Sequence, residues 1–265
     1  MFMKQLPSKF ESREALTELI AETFESVLIE GHRQPSPIHG QVLSEAELAD
    51  CIQPAAYART RNFYDGAVSR LSPFVRQGIV DRKTLASIAL AGGAKPAEKF
   101  IQELLWGEFW QHVAEARPSG LWQDAEPYKT GFLASEYASE LPQDIVTGTT
   151  PNACLNHFIR DLQETGYVHN HARMYLAAYV VHFRRIRWQA GAAWFLAHLL
   201  DGDAAANNYS WQWVASTFGS KPYIFNLENV AKYCGNQVDC RPETNPELDA
   251  SYDVLSVRLF PARAL

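Results

Sequence analysis

Asp201-Gly-Asp-Ala-Ala-Ala-Asn-Asn-Tyr-Ser-Trp-Gln-Trp213 is the stretch that decides how this chain is read. Two carboxylates, an Asn-Asn pair and two indoles crowd into thirteen residues, in an order that no rule of helix or turn formation requires. Asp201-Gly202-Asp203 alone is a helix-ending turn. The polar and aromatic run behind it asks for a further reason. A second segment upstream, Thr165-Gly-Tyr-Val-His-Asn-His-Ala-Arg-Met174, mixes polar and apolar side chains in the same unforced way.

Bulk properties narrow the possibilities. The 265 residues suffice for one large domain or two small ones, and 47% apolar with 12% aromatic residues can bury a sizeable core. The formal charge of -6 argues against a protein that coats duplex DNA by charge alone, since that binding is driven by counterion release at Lys and Arg. A local basic patch remains compatible, and His182-Phe-Arg-Arg-Ile-Arg187 is its densest candidate, beside the plainer reading of a solvated helix face. Cys51, Cys154, Cys234 and Cys240 are too scattered for a disulfide framework. No apolar run follows the charge in Met1-Phe-Met-Lys-Gln5, and the longest apolar stretch, 190–200, is too short for a bilayer. The expectation is a cytoplasmic protein without a membrane partner.

Helical periodicity dominates. Leu16, Leu19, Ile20, Phe24, Val27 and Leu28 recur at helix spacing behind a Ser8/Glu11 capping box, and Ser44/Glu47 repeats that signature. Phe100, Ile101, Leu104, Leu105 and Phe109 form another stripe, and Leu155, Phe158, Ile159 and Leu162 a further one. Helices are also expected over 169–183 and 192–200. The one β-branched run is 254–260, so the fold class is all-α. Residues 31–42 and 115–151 read as loops, the longer one with short helices, and 235–246 as a segment wrapping the surface.

Two more short segments matter: Ser69-Arg-Leu-Ser-Pro73 and Glu103-Leu-Leu-Trp106. With the two already quoted, they resemble the FAD-binding core of the photolyase/cryptochrome family, in the family's order, over about 57–213. The resemblance implies a multi-helical FAD-binding domain. It divides the chain into N-terminal helices and loop (1–56), an FAD-binding core (57–233) and a C-terminal extension packed on it (234–265). It also implies a short member lacking the antenna domain that usually precedes the core.

The resemblance assigns roles residue by residue. Tyr57, Ser69, Arg70, Leu71, Ser72, Phe100, Glu103, Asn170, Arg173, Asp201, Asp203, Asn207 and Asn208 are expected around FAD. Ser69 to Ser72 would meet its phosphates, with Val68 standing where the family has a threonine donor. Arg173 would lie against the flavin ring, paired with Asp201, since a paired charge tolerates burial better than a lone one. Asn207 would face flavin N5. Trp106 and Trp213 would stack on a damaged dinucleotide flipped out of DNA, with Glu103, Asn170, His171 and Met174 contacting the lesion. Glu103, Asn170, Met174 and Asn207 form the catalytic set. Trp211 and Trp188 match the proximal and middle members of a tryptophan relay. Its distal place falls near Leu141-Pro142, which leaves Tyr137 or another indole as substitute. Taken singly, each residue also has an ordinary reading as cap, salt bridge or core.

The expected function is light-driven repair of cyclobutane pyrimidine dimers by an electron from excited reduced FAD. Gly107 and His171 stand where relatives often carry arginine, so single-stranded DNA is the expected partner ahead of duplex. The alternatives are a blue-light photoreceptor that repairs nothing, and a flavin-binding remnant with neither role. No metal motif is present: His169 and His171 do not converge on a helix, and Cys234 and Cys240 lack a Cys-x-x-Cys pair.

Overall fold

The computed structural model describes residues 7, 9–24 and 44–261. The chain divides into two units, Met1–His39 and Gly40–Leu265. The first contains α1 (Arg13–Thr23), which Ser12 caps by accepting from the Ala15 N–H at 3.2 Å. The expected cap Ser8, the stripe residues Val27 and Leu28 and the loop 31–42 lie outside the described residues.

The second unit carries α2 (Glu45–Cys51), α3 (Pro54–Thr60), α4 (Ser72–Arg76), α5 (Arg82–Ala91), α6 (Ala94–Ala116), α7 (Gln143–Val146), α8 (Ala153–Thr165), α9 (Asn170–Ala178), α10 (Trp188–His198), α11 (Ala204–Ala215), α12 (Leu227–Cys234) and α13 (Tyr252–Leu259). Among the described residues no strand forms, and the isolated bridge Ala138–Ile186 is the one strand-like pairing. Caps explain many of the boundaries. Ser44 and Glu47 form the expected reciprocal box on α2. Asp81 and Asp203 accept the N3 amides of α5 and α11, and Gly166, left-handed at φ 65°, ends α8.

Among the described residues, two large apolar cores and a small third one around Leu255, Leu259 and Phe260 build this unit. The larger one is filled by α8, α9, α10 and α11, with Phe158, Tyr175, Tyr179, Trp188, Phe195 and Phe225 essentially inaccessible. The α8 stripe read from the sequence, Leu155, Phe158, Ile159 and Leu162, is wholly buried there. The smaller core joins α2, α5 and α6 through Leu48, Ile52, Leu85, Ala97 and Phe100, together with Leu71. Leu48 and Ile52 come from the segment that the sequence set ahead of the core.

The β-branched run 254–260 forms α13, which Ser251 caps by accepting from Val254, with Leu255 and Leu259 buried. β-branched residues at 254 and 257 tilt propensity toward strand, but Leu255 and Leu259, four residues apart, give the helix its apolar side. The helix expected over 169–183 changes at Tyr179 into a wider π turn, Tyr179–Phe183, and Arg185 closes it at φ 50°. The segment 235–246 runs along the surface with most residues exposed, and it is stitched down at its end. Asn245, fully buried, accepts from the Cys154 amide at 3.0 Å, and Glu247 accepts from Tyr179 and Asn152.

The basic run 182–187 is largely committed inside the protein. Arg184 pairs with Asp144 at 2.7 Å, and the Arg185 guanidinium lies 3.4 Å from the Phe132 ring centroid. His182 Nε2 donates to the Val214 carbonyl at 2.9 Å, while its buried Nδ1 has no partner. Because a carbonyl only accepts, Nε2 carries the proton and Nδ1 stays bare. Burial therefore lowers the His182 pKa to about 4 from 6.5. The unfolded chain takes up this proton as pH falls through 6.5 and the folded chain does so only near 4, so stability is lost across that window. The loss amounts to roughly 3 kcal/mol by linkage. Chemical denaturation followed against pH should show stability falling between those limits and a clearly shallower fall in His182→Gln. An unchanged slope in that variant would refute the assignment.

Candidate functional site

The site is built where α9, α10 and α11 meet the segment ahead of α4. α10 and α11 approach closely because Gly191 has no side chain: a Cβ there would lie 2.2 Å from the Trp211 ring. Trp211 also meets Phe195 edge-on, with ring centroids 4.9 Å apart. This contact fixes the hairpin 199–203 that carries Asp201.

Arg173 on α9 donates to Asp201 Oδ2 at 2.8 Å through one guanidinium nitrogen and to the Val168 carbonyl at 2.8 Å through Nε. The Asp201 side chain is 6% exposed, and its other oxygen, Oδ1, is buried without a partner. A carboxylate oxygen left bare in the interior is costly unless something supplies a donor. The Arg173 guanidinium also lies 5.7 Å from the Tyr167 ring, and that of Arg70 lies 5.5 Å from the same ring. Tyr167 thus gathers two cations. Arg70 holds a left-handed backbone at φ 54°, a strained conformation for a residue with a side chain. Ser69 Oγ accepts weakly from the Leu71 amide at 3.5 Å, and Ser72 opens α4 exposed.

On α11, Asn207 donates its Nδ2 to the Ala192 carbonyl at 3.0 Å and to Asn208 Oδ1 at 2.9 Å. Asn208 is fully buried and donates to the Leu121 carbonyl, so it braces Asn207 and the 118–121 turn from behind. Asp203 caps α11, and both its oxygens accept from Gln111 of α6, at 3.0 and 2.9 Å. Its carboxylate is occupied in joining two helices.

Glu103 on α6 pairs with Lys99 at 2.7 Å and Arg61 at 3.3 Å. Tyr57 meets Phe100 edge-on at 5.3 Å, and burial, helped by the Glu103 charge, pushes the Tyr57 phenol up to about 12. Leu71 and Phe100 send their side chains into the smaller core. Trp106 on α6 and Trp213 on α11 are 50% and 45% exposed, two large indoles on packed neighbouring helices. Leu105 and Phe109 extend the exposed apolar surface beside Trp106. Asn170 is exposed at the start of α9, with Met174 one turn on, its sulfur 4.0 Å from Asn170 Nδ2.

His171 turns inward. Its Nδ1 donates to the Asn62 carbonyl at 2.9 Å, and its ring packs against Tyr175 and Tyr233 at 5.2 and 4.6 Å. Burial lowers its pKa, and that of its neighbour His169 to about 4. The loss of charge read at Gly107 is also revised: the Arg82 guanidinium fills the space that a Cβ there would occupy, and pairs with Glu108 at 2.8 Å.

Several residues escaped the sequence. Trp110 stacks between Trp106 and Tyr209, parallel to the latter within 2°. Its signal was available, since 106 and 110 are one helical turn apart. Tyr167 stood inside a quoted segment, but only folding brings Arg70 onto it. Arg61, Arg82, Trp122 and Asp124 left no local signal. Cys154, Cys234 and Cys240 are free thiols in or against the larger core, and among the described residues no group of three or more metal-ligating side chains is arranged to hold an ion. No described helix is long and apolar enough to cross a membrane.

The helical fold thus carries a half-satisfied buried carboxylate on the 199–203 hairpin and two exposed indoles on α6 and α11. Residues 100–242 match the family model described as the FAD binding domain of DNA photolyase. The chain is 34% identical over 151 residues to a deoxyribodipyrimidine photo-lyase of Streptomyces griseus, covering 57% of this chain and 32% of that one. It is 32% identical over 214 residues to the corresponding protein of Vibrio cholerae, covering 74% and 45%. A bacterial class III photolyase from Agrobacterium tumefaciens superposes with a TM-score of 0.67 at 20% identity, over 97% of this chain and 62% of that one. The chain thus spans less than half the length of these two curated relatives. It belongs to the photolyase family's FAD-binding domains, and FAD is the cofactor of that domain.

Gly191→Ala should drive a methyl into the Trp211 ring, lowering stability by about 1–3 kcal/mol as overpacked cores do. Thermal unfolding would measure the loss, and a shift in tryptophan emission would report the displaced indole. A variant as stable as the parent would show that α10 and α11 can part at no cost.

Proposed function

We propose that this chain binds FAD over the Arg173–Asp201 pair and repairs cyclobutane pyrimidine dimers in DNA under light, with single-stranded DNA as its preferred substrate. The observation that carries the reading is Asp201 Oδ1, a buried acceptor without a donor. An isoalloxazine ring presents a ring N–H of the kind this oxygen lacks. Arg173, already held by Asp201 and Val168, would add positive charge beside that ring. Arg70, with the Ser69 and Ser72 hydroxyls, would take the phosphates. Asn207 would offer the ring its carbonyl oxygen, because its Nδ2 is committed to Ala192 and Asn208. Asn208, Asp203 and Phe100 support these groups from behind.

FAD, when bound, reduced and illuminated, supplies the electron that opens the cyclobutane ring and takes it back. The chain supplies positioning and electrostatics. Trp106 and Trp213 would stack against an extruded dinucleotide, at a cost that is least when the strand is already single. Glu103, Asn170 and Met174 would meet its base edges. Charge supports the single-stranded preference: Lys99, Arg61 and Arg82 are each tied to a glutamate on α6, so few free cations remain there to grip duplex phosphates. His171, half-buried against aromatics, would hold the loop at Asn62 and not touch DNA.

The test uses the purified protein with reduced flavin under blue light and a single-stranded oligothymidine carrying dimers, followed by the return of thymine absorbance. Recovery that Trp106→Ala and Asp201→Ala both lose is expected, with the second variant also losing bound flavin. No recovery with tightly bound flavin would remove the repair reading and favour a photoreceptor. The rate should stay flat as pH falls from 8 to 6, because His169 and His171 titrate below their ordinary range. An inflection near 6.5 would contradict that.

A further inference from the structure

An aromatic column stands behind the half-exposed indole of Trp106. Trp110, one helical turn on, stacks on Trp106 with centroids 5.8 Å apart and 29° between planes. Tyr209 of α11 stacks on Trp110 at 5.8 Å and 2°. Phe109 and Phe218 meet Trp110 edge-on at 5.0 and 5.8 Å, and Phe109 meets Trp106 in the same way at 5.3 Å and 89°. Among the described residues no other ring meets Trp106, which leaves the face opposite Trp110 to a ligand. The column runs from the surface inward: Trp106 is exposed, Trp110 half-buried and Tyr209 inaccessible.

Its inner end is anchored on backbone. The Tyr209 hydroxyl donates to the Arg117 carbonyl at 2.6 Å, and Gly120 leaves room for the phenol, since a Cβ there would lie 2.5 Å from its oxygen. Asn208 and Gln212 donate to the Leu121 and Gly120 carbonyls of the same turn. The helix that bears Asn207 and Trp213 is thereby tied to the column that backs Trp106. The stacked pair Trp122 and Trp188, 6.5 Å apart, shares no ring with it.

We propose that Trp110 is a positioning residue of the lesion pocket: it touches no base, and it fixes the plane of Trp106 so that an extruded base stacks on that indole's free face. The proposal rests on the reading of Trp106 as an indole that stacks on the lesion, as set out above. An unsupported indole at the surface of a helix moves between staggered rotamers, and each binding event would have to order it. Stacked on Trp110, the ring is ordered once, on folding. The requirement is for a flat face. An aliphatic side chain can fill much of the same volume, but it lacks the offset ring-on-ring contact that holds one plane against another.

The experiment measures dark binding of a single-stranded oligothymidine carrying one dimer to the flavin-loaded protein. It compares the parent with Trp106→Ala, Trp110→Leu, Trp110→Phe and the double variant Trp106→Ala/Trp110→Leu. Trp110→Leu should weaken binding about three- to tenfold, the worth of one aromatic contact, and Trp110→Phe should restore most of it. The double variant should bind as Trp106→Ala does alone, because Trp110 acts through Trp106. A residue that only fills space would weaken binding in both backgrounds. Tyr209→Phe keeps every ring and removes only the anchor at Arg117, so it tests the column without emptying it, and it should weaken binding only where Trp106 is present. Parent-like binding in Trp110→Leu, or a further loss when it is added to Trp106→Ala, would overturn the proposal and leave the repair reading standing. Parent-like binding in Trp106→Ala would remove the pocket reading itself, and the proposal with it.

Discussion

The close approach of α10 and α11, with the Trp211 ring seated on Gly191, is the constraint on which the rest depends. It sets the hairpin that presents Asp201 to Arg173, and it brings Ala192 within reach of Asn207. A single missing Cβ therefore helps to position a cation, a carboxylate, an amide and an indole together. Interiors pack at crystal-like density, so such a contact admits no slack.

Around that contact the protein spends its buried polar groups unevenly. Asn208, Gln212 and Asn245 are fully buried, and each bonds to a backbone carbonyl or amide, which ties irregular segments to helices. Asp201 keeps one oxygen bare. Of the seven buried side-chain atoms without a partner among the described residues, it is the one that belongs to a carboxylate, for which a missing donor costs most. Trp106 and Trp213 add two exposed indoles on packed neighbouring helices.

The surface charge of α6 is arranged to restrain rather than attract. Glu103 draws Lys99 and Arg61, and Glu108 draws Arg82. Exposed pairs of this kind add little stability. Under the proposed function they would offset the cations nearest the exposed indoles and leave recognition to stacking.

The sequence by itself determined the helices whose apolar residues recur at one turn, the caps at Ser44, and the motif that holds Arg173, Asp201 and Asn207. Those features are local: periodicity and caps act within a few residues, and a motif is read in a line. Only the tertiary structure decided that His171 bonds to the Asn62 carbonyl, that Arg82 stands over Gly107 and that Trp122 stacks on Trp188. Each of these depends on a partner remote in the chain with no characteristic spacing. The distance from 122 to 188 carries no period and no motif, so nothing short of packing could join them. The same holds for the bare oxygen of Asp201, because an unmet hydrogen bond exists only once every possible donor has been placed.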